Sequence, residues 1–184
     1  MTPIELCERT LEGAERVVAS LRPDELTLPT PCSDWNVRQL LAHMTEVNRR
    51  FAAGASGQPQ MDASAAGDDP VAAYIASARA ANAAWHSPGA LERTLTLRLG
   101  PMTGAQAINL NIADQLMHTW DVAVATGRDR TLDPEVCTVV LEQSRQMLTP
   151  EFRAHVGAFG PEQPCPADAP IHDRLAAFLG RQVP

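Results

Sequence analysis

Between about residue 103 and residue 126 an apolar-rich run carries four polar side chains whose types could do chemistry: Asn111, Asp114, His118 and Asp121. At 100° per residue with His118 as zero, Asn111 falls near about +20°, Asp114 near −40° and Asp121 near −60°, so all four share one narrow helical face. Asp114 and His118 stand one turn apart, about 6 Å along the axis at the 1.5 Å rise, which lets a carboxylate and an imidazole converge on one cation. On an earlier helix His43 lies about 40° from Val47 and about 60° from Leu40, at the border of the apolar face, where it can point inward at a bundle edge. Two imidazoles and one carboxylate leave a fourth coordination position open, the composition of many catalytic zinc sites and one that also suits nickel, iron or manganese. The same residues admit a plainer arrangement, in which Asp114 and His118 share a local hydrogen bond and His43 is a core histidine bonded to a carbonyl. Asp121 would orient His118 or touch water beside it, and Asn111 is a weaker candidate for substrate contact.

The remaining reactive side chains carry less. His86, His155 and His172 fall near helix ends or in loops, where the ordinary role is a solvated cap or dipole partner. Trp35 precedes the His43 helix as a staple against its first turn, while Trp120 faces away from the polar stripe toward core or interface. Cys32, near a helix start, is either reactive or inert. Glu46 falls on the far side of its helix and does not present itself as a general base. The chain holds no nucleophile elbow, phosphate loop or dinucleotide fingerprint, so no catalytic residue is singled out by motif.

Helical segments must position these groups. Thr2-Pro3-Ile4-Glu5 is a capping box with proline at the first helical position, and Ile4, Cys7, Leu11, Ala14, Val18 and Leu21 recur with helical period to about residue 21. Pro23, Pro29 and Pro31 interrupt the chain until Asn36 and Gln39 cap a second helix, which carries Val37, Leu40, Leu41, Met44, Val47 and Phe51 on one face. Ala52 to Asp69 turns to Gly, Ala, Ser, Gln and Pro, longer than bundle loops usually run, and is a lid candidate. Asp69-Pro70 starts a third helix ended by Ser87-Pro88-Gly89. Leu95, Leu97 and Leu99 alternate with Thr96 and Arg98, which reads as one short strand or hairpin arm. Thr103 and Gln106 cap a fourth helix closed by Gly127, Asp133-Pro134 starts a fifth, and a small terminal helix spans about 171 to 179. The expected architecture is all-α: one domain over 1–184, an antiparallel four-helix bundle with a short extended segment and small C-terminal helices.

Composition agrees and excludes alternatives. The 184 residues hold 15 Lys+Arg against 22 Asp+Glu, a net charge of −7, and every basic residue is arginine. That balance lacks the basic footprint nucleic acid requires. No run approaches the roughly 18 apolar residues of a membrane span and the N-terminus has no basic-then-apolar leader, so a cytoplasmic protein is expected. Cys7, Cys32, Cys137 and Cys165 form no Cys-x-x-Cys pair, against a zinc knuckle or disulfide framework. A chain of this size buries about 70% of its unfolded surface, so a metal here would serve function rather than hold the fold together.

Thr30-Pro31-Cys32-Ser33-Asp34-Trp35-Asn36-Val37-Arg38 leads into Leu40-Leu41-Ala42-His43; Met117-His118-Thr119-Trp120-Asp121-Val122-Ala123 precedes Ala125-Thr126-Gly127. With Phe159-Gly160-Pro161 and Leu175 to Arg181 near the end, nearly the whole chain resembles the actinobacterial branch of the DinB-like superfamily, related to the N-terminal metal-binding domain of mycothiol-dependent maleylpyruvate isomerase. The resemblance implies a four-helix bundle holding a divalent metal, usually zinc or nickel, at His43, Asp114 and His118, with Asp114 standing where the isomerase has glutamate. It further implies a metal-dependent thiol transferase or isomerase that takes mycothiol and a small-molecule substrate, and the family's habit of pairing implies a homodimer. A small metal-dependent hydrolase and a non-enzymatic metal or ligand-binding bundle are the alternatives.

Overall fold

A computed structural model of the chain describes residues 1–32, 35–58, 68–97, 100–150, 153 and 160–184. Among the described residues six α-helices dominate: α1 (Pro3–Ala19), α2 (Val37–Ser56), α3 (Pro70–Trp85), α4 (Gly104–Ala125), α5 (Pro134–Met147) and α6 (Ile171–Phe178). A 3-10 turn (Pro23–Thr27) and a hairpin of β1 (Thr94–Leu97) and β2 (Gly100–Thr103) complete the order. The architecture is the all-α bundle expected from the sequence.

Local chemistry sets the helix starts. Thr2 with Glu5, Asn36 with Gln39 and Thr103 with Gln106 each form reciprocal capping boxes that satisfy two otherwise unpaired amide donors. Asp69 and Asp133 cap α3 and α5, each followed by a proline that needs no amide partner.

Helices α1 and α2 each pack on both α3 and α4. Asn48 meets Ser77 while Ala55 meets Ser87, so α2 and α3 run in the same direction. Across the bundle His43 meets Asp114 and Asn48 meets Asn111, so α2 and α4 are antiparallel. Cys7 lies by Asn111 and Ser20 by Arg128, which makes α1 parallel to α4. The bundle is therefore up-down-down-up: the neighbouring pairs α1/α4 and α2/α3 run parallel, unlike the antiparallel packing expected, and the neighbouring pairs α1/α3 and α2/α4 run antiparallel. A same-direction return past a 20-residue helix spans about 30 Å, which at about 3.3 Å per residue needs at least nine connecting residues. That is the physical reason for the long segment after α2. The helix itself continues past Ala52 to Ser56, so the connection starts later than the composition indicates. The lid expectation rests mainly on 59–67, outside the described residues, as do Arg98 and Leu99 of the alternating segment and His155.

Trp85, Trp120, Tyr74, Leu40, Leu41, Met44, Ile108 and Ile112 fill the centre, all essentially inaccessible. Gly104 shows how closely the turn ahead of the hairpin seats α4: a Cβ there would collide with the Ala90 carbonyl oxygen. α5 and α6 pack together against the bundle. Among the described residues no helix is long and apolar enough to cross a membrane.

Candidate metal centre

The antiparallel pairing of α2 and α4 brings His43 against the polar stripe. His43 Nε2 lies 3.2 Å from both Asp114 carboxylate oxygens, and His118 Nε2 lies 3.8 Å from Asp114 Oδ1. One donor atom from each of His43, Asp114 and His118 falls within 4.8 Å of the others. Tetrahedral coordination with bonds near 2.1 Å places donors about 3.4 Å apart, so the residues present fit a divalent ion with only small adjustment. Side-chain exposures of 29% for His43, 18% for Asp114 and 12% for His118 put the cluster at a wall that a small molecule can reach.

Both histidines are held by a neighbour. His118 Nδ1 sits 2.9 Å from Asp121 Oδ2. Asp121 is inaccessible to solvent; burial works against its charge, but hydrogen bonds from His118 and Arg181 prevail and hold its carboxyl below the usual range. An ionised carboxylate only accepts, so Nδ1 carries a hydrogen, which leaves Nε2, on the side of Asp114 and His43, as the nitrogen that can ligate. Trp35 stacks on His43 with ring centroids 4.5 Å apart and planes at 29°, and meets His118 edge-on at 6.1 Å. A turn pinned by Thr30, whose hydroxyl donates to the Cys32 and Trp35 carbonyls, fixes that indole ahead of α2. The Cys32 thiol reaches the same neighbourhood, within 4.8 Å of donor atoms of His118 and Asp121.

Asn111 is not part of this group. It is fully buried deeper in the bundle, accepting from Trp85 Nε1 at 3.0 Å and donating to Asn48 Oδ1 at 3.1 Å. Asn48 and Tyr74 in turn donate to Gln115 Oε1, and Gln115 donates to the Met44 carbonyl. This network fixes the register of α4 against α2 and α3. His172 also departs from its expected solvated position: it is only 8% exposed and packs beside Asp173. His86 keeps an exposed place at the end of α3, bonded to the Asn82 carbonyl. Trp120 is core, donating its indole N–H to Asp173, and burial pushes the Cys7 and Cys137 thiols up to about 12, out of reactive range. Glu46 is not among the three donors, but it does not fall on the far side of its helix as expected: one turn from His43 it lines the groove beside the cluster, paired with Arg50.

Two site neighbours escape sequence inspection, Trp35 as the stacking partner of His43 and Arg181 as the partner of Asp121. Trp35 lies on a turn, where helical periodicity gives no direction, and Arg181 is 60 residues from its partner. An open groove of about 360 Å³, lined by Trp35, Gln39, His43, Thr45 and Arg49 among others, borders the cluster. That volume suits a small molecule. The buried Thr45 hydroxyl there makes no hydrogen bond among the described residues.

Fold and site together define a helical bundle whose facing helices present a His/Asp/His donor set beside a groove. The chain belongs to the family of the mycothiol maleylpyruvate isomerase N-terminal domain, whose model matches residues 7–123. Two uncharacterized proteins of Mycobacterium tuberculosis are each 37% identical to it over 183 residues, covering 100% of both chains. The crystal structure of the mycothiol-dependent maleylpyruvate isomerase superposes with a TM-score of 0.55 at 16% identity, covering 80% of this chain and 72% of that one, which shows a shared fold.

Proposed function

We propose that the chain binds one divalent metal ion, zinc or nickel, through His43, Asp114 and His118, and that the site handles a low-molecular-weight thiol, mycothiol, in an S-transfer or isomerisation reaction. The observation that carries this is the convergence of three donors from α2 and α4, with Asp121 fixing the donor orientation of His118. A carboxylate behind a ligating histidine is the usual support of such sites. When bound, the cation favours the deprotonated sulfur of a thiol and so provides a nucleophile at neutral pH. His43 and Asp114, partly exposed, leave the ion accessible from the groove, while Trp35 closes one side with an apolar wall. Arg49 offers a guanidinium to polar parts of the thiol or its substrate. The family name and the resemblance to the isomerase support the thiol assignment.

The test loads the full chain with nickel and adds mycothiol, following the near-ultraviolet spectrum. A sulfur-to-metal charge-transfer band in the native protein, absent in His43→Ala, is expected. Nickel binding with no spectral change on adding mycothiol would overturn the thiol assignment while leaving the metal.

A further inference from the structure

We propose that Arg181 is a positioning residue for this centre, acting on His118 through Asp121; the inference rests on the metal-binding role proposed for His43, Asp114 and His118. The Arg181 guanidinium grips the Asp121 carboxylate with two bonds, Nε to Oδ1 at 3.2 Å and Nη2 to Oδ2 at 2.9 Å. Both groups are enclosed, with side chains 13% and 0% exposed. A planar fork on a carboxylate fixes the plane of that carboxylate as well as its place. Oδ2 is shared: it accepts from Arg181 Nη2 and from His118 Nδ1, each at 2.9 Å. The orientation of the His118 ring therefore depends on how Arg181 holds Asp121.

The chain takes a special path to deliver this arginine. After α6 the backbone reverses at Gly180, whose φ of 94° favours glycine, and the Gly180 and Arg181 amides donate to the Ala177 and Ala176 carbonyls. A Cβ at Gly180 would come 3.0 Å from the Gly160 Cα, so the turn is also too close to its neighbour for a side chain. Arg181 Nη1 donates back to the Leu179 carbonyl at 3.2 Å, which leaves the fork preset toward Asp121. A separate tie holds the terminal segment on α4: Asp173 accepts from Trp120 Nε1 and from both Nε and Nη2 of Arg130. α6 thus has a docking tie to α4 besides the Arg181 fork, and Asp173→Asn can loosen that tie without touching Asp121.

Two measurements on the full chain test this. The first is the zinc dissociation constant, by competition with a chromogenic chelator, for the native protein, Arg181→Met, Arg181→Lys and Asp173→Asn. Arg181→Met, which keeps the apolar stem, weakens zinc roughly 10- to 100-fold, the usual cost of losing such an outer support. Arg181→Lys, which keeps charge without the fork, falls between, and Asp173→Asn, which loosens only the docking tie, stays within about threefold of native by the same scale. The second is the nitrogen chemical shifts of His118 in the metal-free protein at a pH where it is neutral. A single Nδ1–H tautomer in the native chain should give way to a tautomer mixture in Arg181→Met, and in Arg181→Lys should the former not fold. Native zinc affinity in both arginine variants, an equal loss in Asp173→Asn, or an unchanged tautomer would overturn the assignment. If the native chain binds no zinc, the metal proposal alone fails and the tautomer decides the role of Arg181.

Discussion

Replacing Asn111 by alanine separates two roles along one helical face. The side chain is inaccessible and joins Trp85 Nε1 to Asn48 Oδ1. Alanine leaves that indole N–H and that amide oxygen without partners in the interior. Each orphaned group costs about 1–3 kcal/mol, and a water admitted to the vacated space offsets part, so the expected loss is about 3 kcal/mol. For a domain of this size that lowers the thermal midpoint by about 6–12 °C. Thermal and urea unfolding followed by far-ultraviolet circular dichroism measure the loss, and a chelator competition on the same sample measures zinc. The expected result is a less stable protein with native zinc affinity, because Asn111 touches neither the three donors nor Asp121. A midpoint shift under 2 °C, on the order of half a kcal/mol for such a domain, with weakened zinc would refute the placement of Asn111 in the core network.

Gly104→Ala should destabilise by at least about 2 kcal/mol, since its Cβ collides with the Ala90 carbonyl and both sides are backbone; unfolding midpoints in urea check it. The enclosed Glu25 is held down to about 2, first by hydrogen bonds from Arg128 and then by the Arg22 amide. Its folded value lies below the unfolded one, so its stabilisation is full above about pH 5 and fades as pH falls toward 2; Glu25→Gln should flatten that acid limb in a stability-against-pH series. Trp35→Ala removes the stack on His43, worth about 0.5–1.5 kcal/mol, so zinc should weaken about 2- to 10-fold while cooperative unfolding persists, read by chelator competition.

The helix starts are legible in the sequence because capping is local: Thr2 with Glu5, Asn36 with Gln39 and Thr103 with Gln106 carry their own geometry within four residues. The pairing of Asp114 with His118 is legible for the same reason. A helical wheel, however, discards position along the axis. Asn111 shares the azimuth of His118 yet stands about 10 Å away along α4, inside the bundle rather than at its wall. Helix direction is equally hidden, since a long connection is compatible with several returns and only the contacts of Asn48 and Ala55 reveal the parallel pair. Arg181 and Trp35 reach the site from outside the two ligand-bearing helices, by a glycine reversal and a pinned turn. No spacing rule joins such distant segments to His118 and His43.

Metal content decides whether His43, Asp114 and His118 hold an ion. The chain is purified without a histidine tag, exchanged into chelator-free buffer and reconstituted with zinc or nickel; metal per chain is then measured for the native protein and for His118→Ala, with helical circular dichroism on both. About one ion per chain in the native protein, lost in an equally helical variant, is the expected result. No metal in the native protein after reconstitution, or equal metal in the folded variant, would contradict a metal site built on His118.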